Sequence, residues 1–204
     1  GNGRRVSIPV AVVRALHPRP GALPVVFLHG GPGDEVISGL PDLLRSEHWK
    51  QFIAQDQDWI FLDQRGGGLS APLLDCGARL LLNDAGPLSA SAADALIACA
   101  ARHVAAGVDL SAYNAMATTA DLQDLLQLMH LQQVDVVGVS YGTRIAFTLL
   151  RLHPGLVRSA VLDSVWPPEA LWAEGGPKMI ADAVHLLFAR CAADRACHAA
   201  FANP

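Results

Sequence analysis

Val134-Asp135-Val136-Val137-Gly138-Val139-Ser140-Tyr141-Gly142-Thr143 joins two patterns that seldom meet by accident. Its first half is a short apolar run of the kind that forms a buried parallel strand. Its second half is Gly-x-Ser-x-Gly, and from Thr143 a helical pattern runs to about His153, where Pro154-Gly155 stops it. A strand that turns this sharply into a helix lifts the serine hydroxyl to the apex of the turn. Glycine is required there because side chains would collide with the neighbouring strand and helix. The spacing predicts a nucleophile at Ser140. A bare hydroxyl is a poor one and needs an adjacent base to take its proton. Gly-x-Ser-x-Gly also arises by chance in Gly- and Ser-rich loops. Its place between a buried strand and an amphipathic helix favours the functional reading here.

The neighbouring segments repeat the strand-helix alternation. Residues 6–13 are rich in β-branched side chains, and Val25-Val26-Phe27-Leu28 and Trp59-Ile60-Phe61-Leu62 are continuous apolar runs. Residues 89–106 form an Ala-rich helical stretch. Thr118-Thr119-Ala120-Asp121 reads as a capping box ahead of Leu122, Leu125, Leu126 and Met129 at i, i+3, i+4 and i+7. A further strand covers 157–162, and Ile180, Val184, Leu187 and Phe188 make one apolar helical stripe. This order predicts an α/β fold, a mostly parallel sheet with helices on both faces. Trp166-Pro167-Pro168 through Gly175-Gly176-Pro177 is the one composition shift, so a core over 1–165 and the start of a helical cap over 166–204 are expected.

The chain has 204 residues, is 51% hydrophobic and 17% charged, and carries a net charge of −4. That composition is globular, and without a basic block it gives no reason to expect nucleic acid or an anionic membrane as partner. No apolar run approaches the roughly 18 residues of a transmembrane helix. No apolar signal segment follows Gly1-Asn2-Gly3-Arg4-Arg5. The four cysteines read either as the bridges Cys76–Cys99 and Cys191–Cys197 or as four buried thiols. On one straight helix, residues six apart point about 120° away from each other, so a Cys191–Cys197 bridge requires a helix break near Asp194. Bridges would favour an exported, secreted or periplasmic protein. No cysteine–histidine cluster shows metal-ligand spacing, the nearest being the adjacent Cys197-His198, and no metal or other cofactor is expected.

A tetrahedral intermediate on Ser140 needs two N–H donors. The residue after the nucleophile supplies one, the Tyr141 amide. The other is expected from His29-Gly30-Gly31-Pro32-Gly33, with the Gly31 amide preferred over that of Gly30. A phosphate cradle is the other use of a Gly-rich turn, but neither G-x-x-x-x-G-K nor G-x-G-x-x-G is present. His29 precedes the serine and is expected to brace the loop, and Asp63 with Arg65 is expected to form a structural ion pair.

Taken together, His29-Gly30-Gly31-Pro32-Gly33, Asp63-Gln64-Arg65-Gly66 with Ser70, and residues 138–143 resemble the α/β-hydrolase family of prolyl aminopeptidases and secreted tripeptidyl aminopeptidases. His153-Pro154 to Val157 and Val161-Leu162-Asp163 also look like that family. The resemblance implies an acyl-enzyme on Ser140, a peptide substrate with a free N-terminus, and export. It also implies an acid after a later strand and a histidine near the C-terminus, beyond a helical cap. Only 64 residues follow Ser140. Asp163, Asp182 and Asp194 as the acid, and His153, His185 and His198 as the base, are all poorly placed. Glu169 and Glu174 are weak candidates for a substrate ammonium. The fold is therefore expected to be incomplete at its C-terminal side, with the acid and histidine on a separate C-terminal part of the same enzyme. A carboxylesterase with the same nucleophile, or an inactive fragment serving as a binding domain, are the other two readings.

Overall fold

Short apolar strands alternating with amphipathic helices can bury their apolar faces by right-handed crossovers onto one sheet. The computed structural model, which describes residues 3–77, 90–170 and 172–201, shows that sheet. Its strands are β1 (Val10–Val13), β2 (Val25–Leu28), β3 (Trp59–Leu62), β4 (Val134–Val139) and β5 (Val157–Asp163), in the spatial order β1-β3-β2-β4-β5. β1 runs antiparallel to β3, and the other neighbours are parallel. The helices are α1 (Leu40–Arg45), α2 (Glu47–Lys50), α3 (Ala90–Ala105), α4 (Ala115–Leu128), α5 (Tyr141–Leu152), α6 (Trp172–Ala193) and α7 (Arg195–Ala200). The chain divides into two compact units, Gly1–Trp166 and Pro167–Pro204.

Strand alternation sorts the core of the first unit into two layers. Val26, Leu28, Ile60, Leu62 and Val136 pack with Leu122 and Leu126 of α4 and Ile145 and Leu149 of α5. Phe27 and Phe61 face the opposite side, against Val36, Leu40 and Ile53. A side chain of this size contributes about 1.5–3 kcal/mol when fully buried.

Two local expectations shift. The first strand begins at Val10 instead of residue 6, because Pro9 lacks the N–H that a ladder needs. Pro9 offers its carbonyl to Asp63 N, and Ser7 forms a separate antiparallel bridge with Ala71. Helix α4 starts at Ala115, not at the Thr118 capping box, since the Asn114 side chain caps it by accepting from Ala117 N at 2.9 Å. Thr118 and Thr119 lie inside the helix and donate back to the carbonyls of Asn114 and Ala115.

In the second unit the chain breaks where the bridge geometry demands. α6 ends at Ala193, and the Asp194 carboxylate caps α7 by accepting from Cys197 N at 2.8 Å. The break brings Cys191 and Cys197 to disulfide distance, Cα–Cα 5.1 Å. Cys76 and Cys99 of the first unit are likewise paired, Cα–Cα 5.6 Å. Ile180, Val184, Leu187 and Phe188 of the α6 stripe remain exposed. No helix among the described residues is long and apolar enough to cross a membrane.

Asp135, at the start of β4, ties the lower end of the sheet together. Gln57 Nε2 donates to it at 2.9 Å, Ser159 Oγ at 2.6 Å and Arg158 Nε at 2.9 Å. Burial works against its charge, but these donors outweigh burial and hold its pKa below the ordinary 3.8. A depressed carboxylate stabilises the fold above its unfolded pKa, and that contribution disappears as pH falls through the folded value. Asp135→Ala should lower the unfolding free energy by about 1–3 kcal/mol at pH 7. In urea titrations the gap to wild type should hold down to about pH 4 and close below it; a gap that persists unchanged at pH 2.5 would contradict the assignment.

Candidate active site

The turn from β4 into α5 places Ser140 at φ 53°, ψ −118°, a conformation that non-glycine residues adopt only under constraint. The constraints are visible. Ser140 N donates to the Asp163 carbonyl at 2.9 Å, which ties the elbow to the end of β5. Ser140 O accepts from Thr143 N at 2.9 Å and from Thr143 Oγ1 at 2.6 Å, while Trp166 N donates to Thr143 Oγ1 at 2.8 Å. At Gly142 a Cβ would sit 1.9 Å from the Leu28 carbonyl oxygen, so only glycine lets α5 settle on the end of β2.

The loop after β2 passes directly beside the serine: a Cβ on Gly30 would lie 3.2 Å from Ser140 Cβ and 3.6 Å from its Oγ. Gln64 Nε2 holds this loop by donating to the carbonyls of His29 at 2.9 Å and Gly30 at 3.3 Å. The elbow and the proposed donor loop are thus adjacent. As the first residue of α5, Tyr141 has no carbonyl within the helix for its N–H, which leaves the amide available to an oxyanion. The Tyr141 phenol has its pKa pushed up by burial, and its ring meets Trp166 edge-on at 5.7 Å.

Two structural roles differ from expectation. Asp63 and Arg65 do not pair with each other. Asp63 is fully buried and accepts three backbone N–H groups, Val36 at 2.7 Å, Ile37 at 3.1 Å and Leu69 at 2.8 Å. A side chain that accepts that many backbone N–H groups organises a loop without a cation. Arg65 instead forks onto Asp121, Nε–Oδ2 2.7 Å and Nη2–Oδ1 2.5 Å, and donates to the Ala112 carbonyl at 2.7 Å. The residue assigned to the capping box is therefore the arginine's partner. His29 braces the loop through its backbone carbonyl, whereas its Nδ1 makes no hydrogen bond and lies 3.6 Å from Asp34.

No histidine among the described residues hydrogen-bonds Ser140. His153 caps the far end of α5, about 18 Å along the axis from the elbow. Asp163 serves through its carbonyl, and its exposed carboxylate accepts from Ser164 Oγ. Asp182 pairs with Lys178 and Asp194 caps α7, both within the second unit, where Glu169 is exposed. The side chain of Glu174 falls outside the described residues. A cavity of about 710 Å³ lies next to the elbow, with Pro32, Glu35, Arg65, Leu74, Tyr113 and Tyr141 among its walls. The Thr143–Trp166 link carries no sequence motif that could have announced it.

A family model described as alpha/beta hydrolase fold matches residues 24–184. The chain is 29% identical over 146 residues to the "Probable proline iminopeptidase" of Streptomyces coelicolor, covering 72% of this chain and 34% of that protein. Among solved structures it resembles MGS-M2, an alpha/beta hydrolase enzyme from a Medee basin deep-sea metagenome library, at TM-score 0.52 and 14% identity, over 84% of this chain and 46% of that one. It also resembles VrEH2 at TM-score 0.51 and 21% identity, over 87% of this chain and 42% of that one. At these identities the structural likenesses establish the fold. The chain spans less than half the length of each of these proteins.

If the elbow stores strain, relieving it should stabilise the protein. Ser140→Gly should raise the unfolding free energy by about 1 kcal/mol, less than the full strain because glycine loses more backbone entropy. Gly142→Ala should cost more than about 3 kcal/mol, because the clash is with backbone. Guanidinium titration checks both, and a destabilised Ser140→Gly would show that the elbow is relaxed.

Proposed function

The chain belongs to the alpha/beta hydrolase family, and on that footing we propose that it carries the nucleophile and oxyanion donors of a serine aminopeptidase. The observation that carries this reading is the strained Ser140, which lies beside the Gly30-Gly31 loop and donates its N–H to the Asp163 carbonyl of β5. Ser140 Oγ attacks the carbonyl of an N-terminal residue or short peptide and gives its proton to a histidine base. The amides of Tyr141 and Gly31 hold the oxyanion, the amine leaves, and water releases the acyl group. The peptide substrate is supported by the likeness to the Streptomyces protein and by the His29–Gly33 and Asp63–Gly66 motifs.

The acid and the histidine belong, in this proposal, to a C-terminal part of the same enzyme. β5 pairs only with β4 among the described residues, and Ala160 and Val161 along it are exposed, as for a strand awaiting a neighbour. The paired cysteines agree with an exported enzyme.

A triad lacking its histidine turns over about a million-fold more slowly than the intact set. The 204-residue chain alone should hydrolyse aminoacyl p-nitroanilides at a rate close to that of its Ser140→Ala variant. Once the C-terminal part is supplied, turnover should appear together with fluorophosphonate labelling of Ser140. Robust anilide hydrolysis by the chain alone would place the base within it, and a completed enzyme that cleaves only uncharged p-nitrophenyl esters would point to a carboxylesterase.

A further inference from the structure

Helix α3 carries Cys99 and His103 four residues apart, so their side chains lie on one face, one turn from each other. Cys76 reaches that face from the loop that follows β3, and its Sγ is bonded to that of Cys99. The two Sγ atoms and a ring nitrogen of His103 lie within 4.8 Å of one another. Among the described residues, no other three His, Cys, Asp or Glu side chains converge in this way. The sequence signal for it is Cys-x-x-x-His on the helical stretch, and the adjacent Cys197-His198 is not part of it.

Ligand atoms around a tetrahedral zinc ion stand ~3.5–3.8 Å apart, from Zn–S near 2.3 Å and Zn–N near 2.0–2.1 Å. Once the sulfur–sulfur bond is open, the two thiolates have to separate to that spacing, while the His103 nitrogen already lies within 4.8 Å of both. Cys99 is fully buried, while Cys76 and His103 are partly exposed, so a reductant and an ion reach the cluster through these two residues.

We propose that Cys76, Cys99 and His103 form a redox-gated site for a borderline-soft divalent cation such as Zn²⁺, closed as the disulfide and open when it is reduced. A dithiol passes two electrons and two protons to the disulfide and is itself oxidised to a disulfide. The cation then displaces both thiol protons to solvent, and the two thiolates neutralise its charge. His103 ligates through one ring nitrogen as the neutral imidazole, and water takes the fourth position. Either way the Asp75-Cys76-Gly77 loop stays fastened to α3. Those three residues line the cavity beside Tyr141, so its wall keeps its place in oxidising and in reducing surroundings.

The test uses the chain bearing Cys191→Ser and Cys197→Ser, which removes the other thiol pair. Zn²⁺ is titrated against a chromophoric chelator, before reduction and after dithiothreitol treatment with anaerobic desalting. One Zn²⁺ per chain should bind after reduction and none before. His103→Ala should weaken binding at least about tenfold, the loss that even an outer-shell change can cause. With Co²⁺ in place of Zn²⁺, a thiolate-to-cobalt charge-transfer band and intense four-coordinate d–d bands should appear. Equal uptake by the oxidised and reduced forms, or unchanged affinity in His103→Ala, would overturn the proposal. Circular dichroism covers loss of structure on reduction: refolding on Zn²⁺ supports the site, and a reduced chain that stays unfolded with Zn²⁺ refutes it.

Discussion

The Leu28 carbonyl and the Cα of Gly142 share a space that admits no methyl group, and the geometry of the site depends on that contact. β2 and β4 are parallel neighbours, so the loop after one and the turn after the other leave the sheet at the same end. Only when the first turn of α5 sits hard against β2 do the two come within reach. The strain this puts on Ser140 is of order 1–3 kcal/mol. Ile145 and Leu149 of α5, both fully buried against β2 and β4, each contribute about as much in the opposite direction. The helix is thus held in place by its apolar face, and the elbow bends to suit.

Buried carboxylates set the ends of the sheet. Asp135 closes the end where the parallel strands begin, and Asp63 organises the end where they finish. Asp63 gathers backbone from residues 36, 37 and 69, drawing two loops around the mouth of the cavity. The loop glycines then meet closely: a Cβ on Gly67 would lie 2.3 Å from the Gly33 carbonyl oxygen. Ser140, the Gly30-Gly31 loop and the cavity all lie beyond the carboxyl ends of the strands, where open α/β sheets place their ligands.

Much of this was legible in the residues. β2 and β3 are continuous apolar runs, and β4 is one but for Asp135, because both of their faces are covered, and the periodicity of Leu122, Leu125, Leu126 and Met129 marked the buried side of α4. The bend at Asp194 followed from the reach of a six-residue bridge. What failed was polar pairing at a distance. Arg65 had an acid two residues away, yet its partner stands 56 residues along the chain. Asp121 looked like a helix cap because local pattern cannot tell a carboxylate facing its own helix from one facing another element. The four-residue spacing of Cys99 and His103 carries no signal of its own, because it matters only once the helix presents both to Cys76.

The bridge between Cys76 and Cys99 closes a covalent ring around a 23-residue step in the sequence. Cys76 lines the cavity beside Tyr141 and Cys99 lies on α3, so the bridge fastens the cavity wall to that helix. A peptide bond cut inside the ring leaves both pieces joined through sulfur. The sulfur link therefore makes covalent connectivity differ from chain order on this side of the site: the loop after β3 and helix α3 stay joined even where the backbone between them is cut.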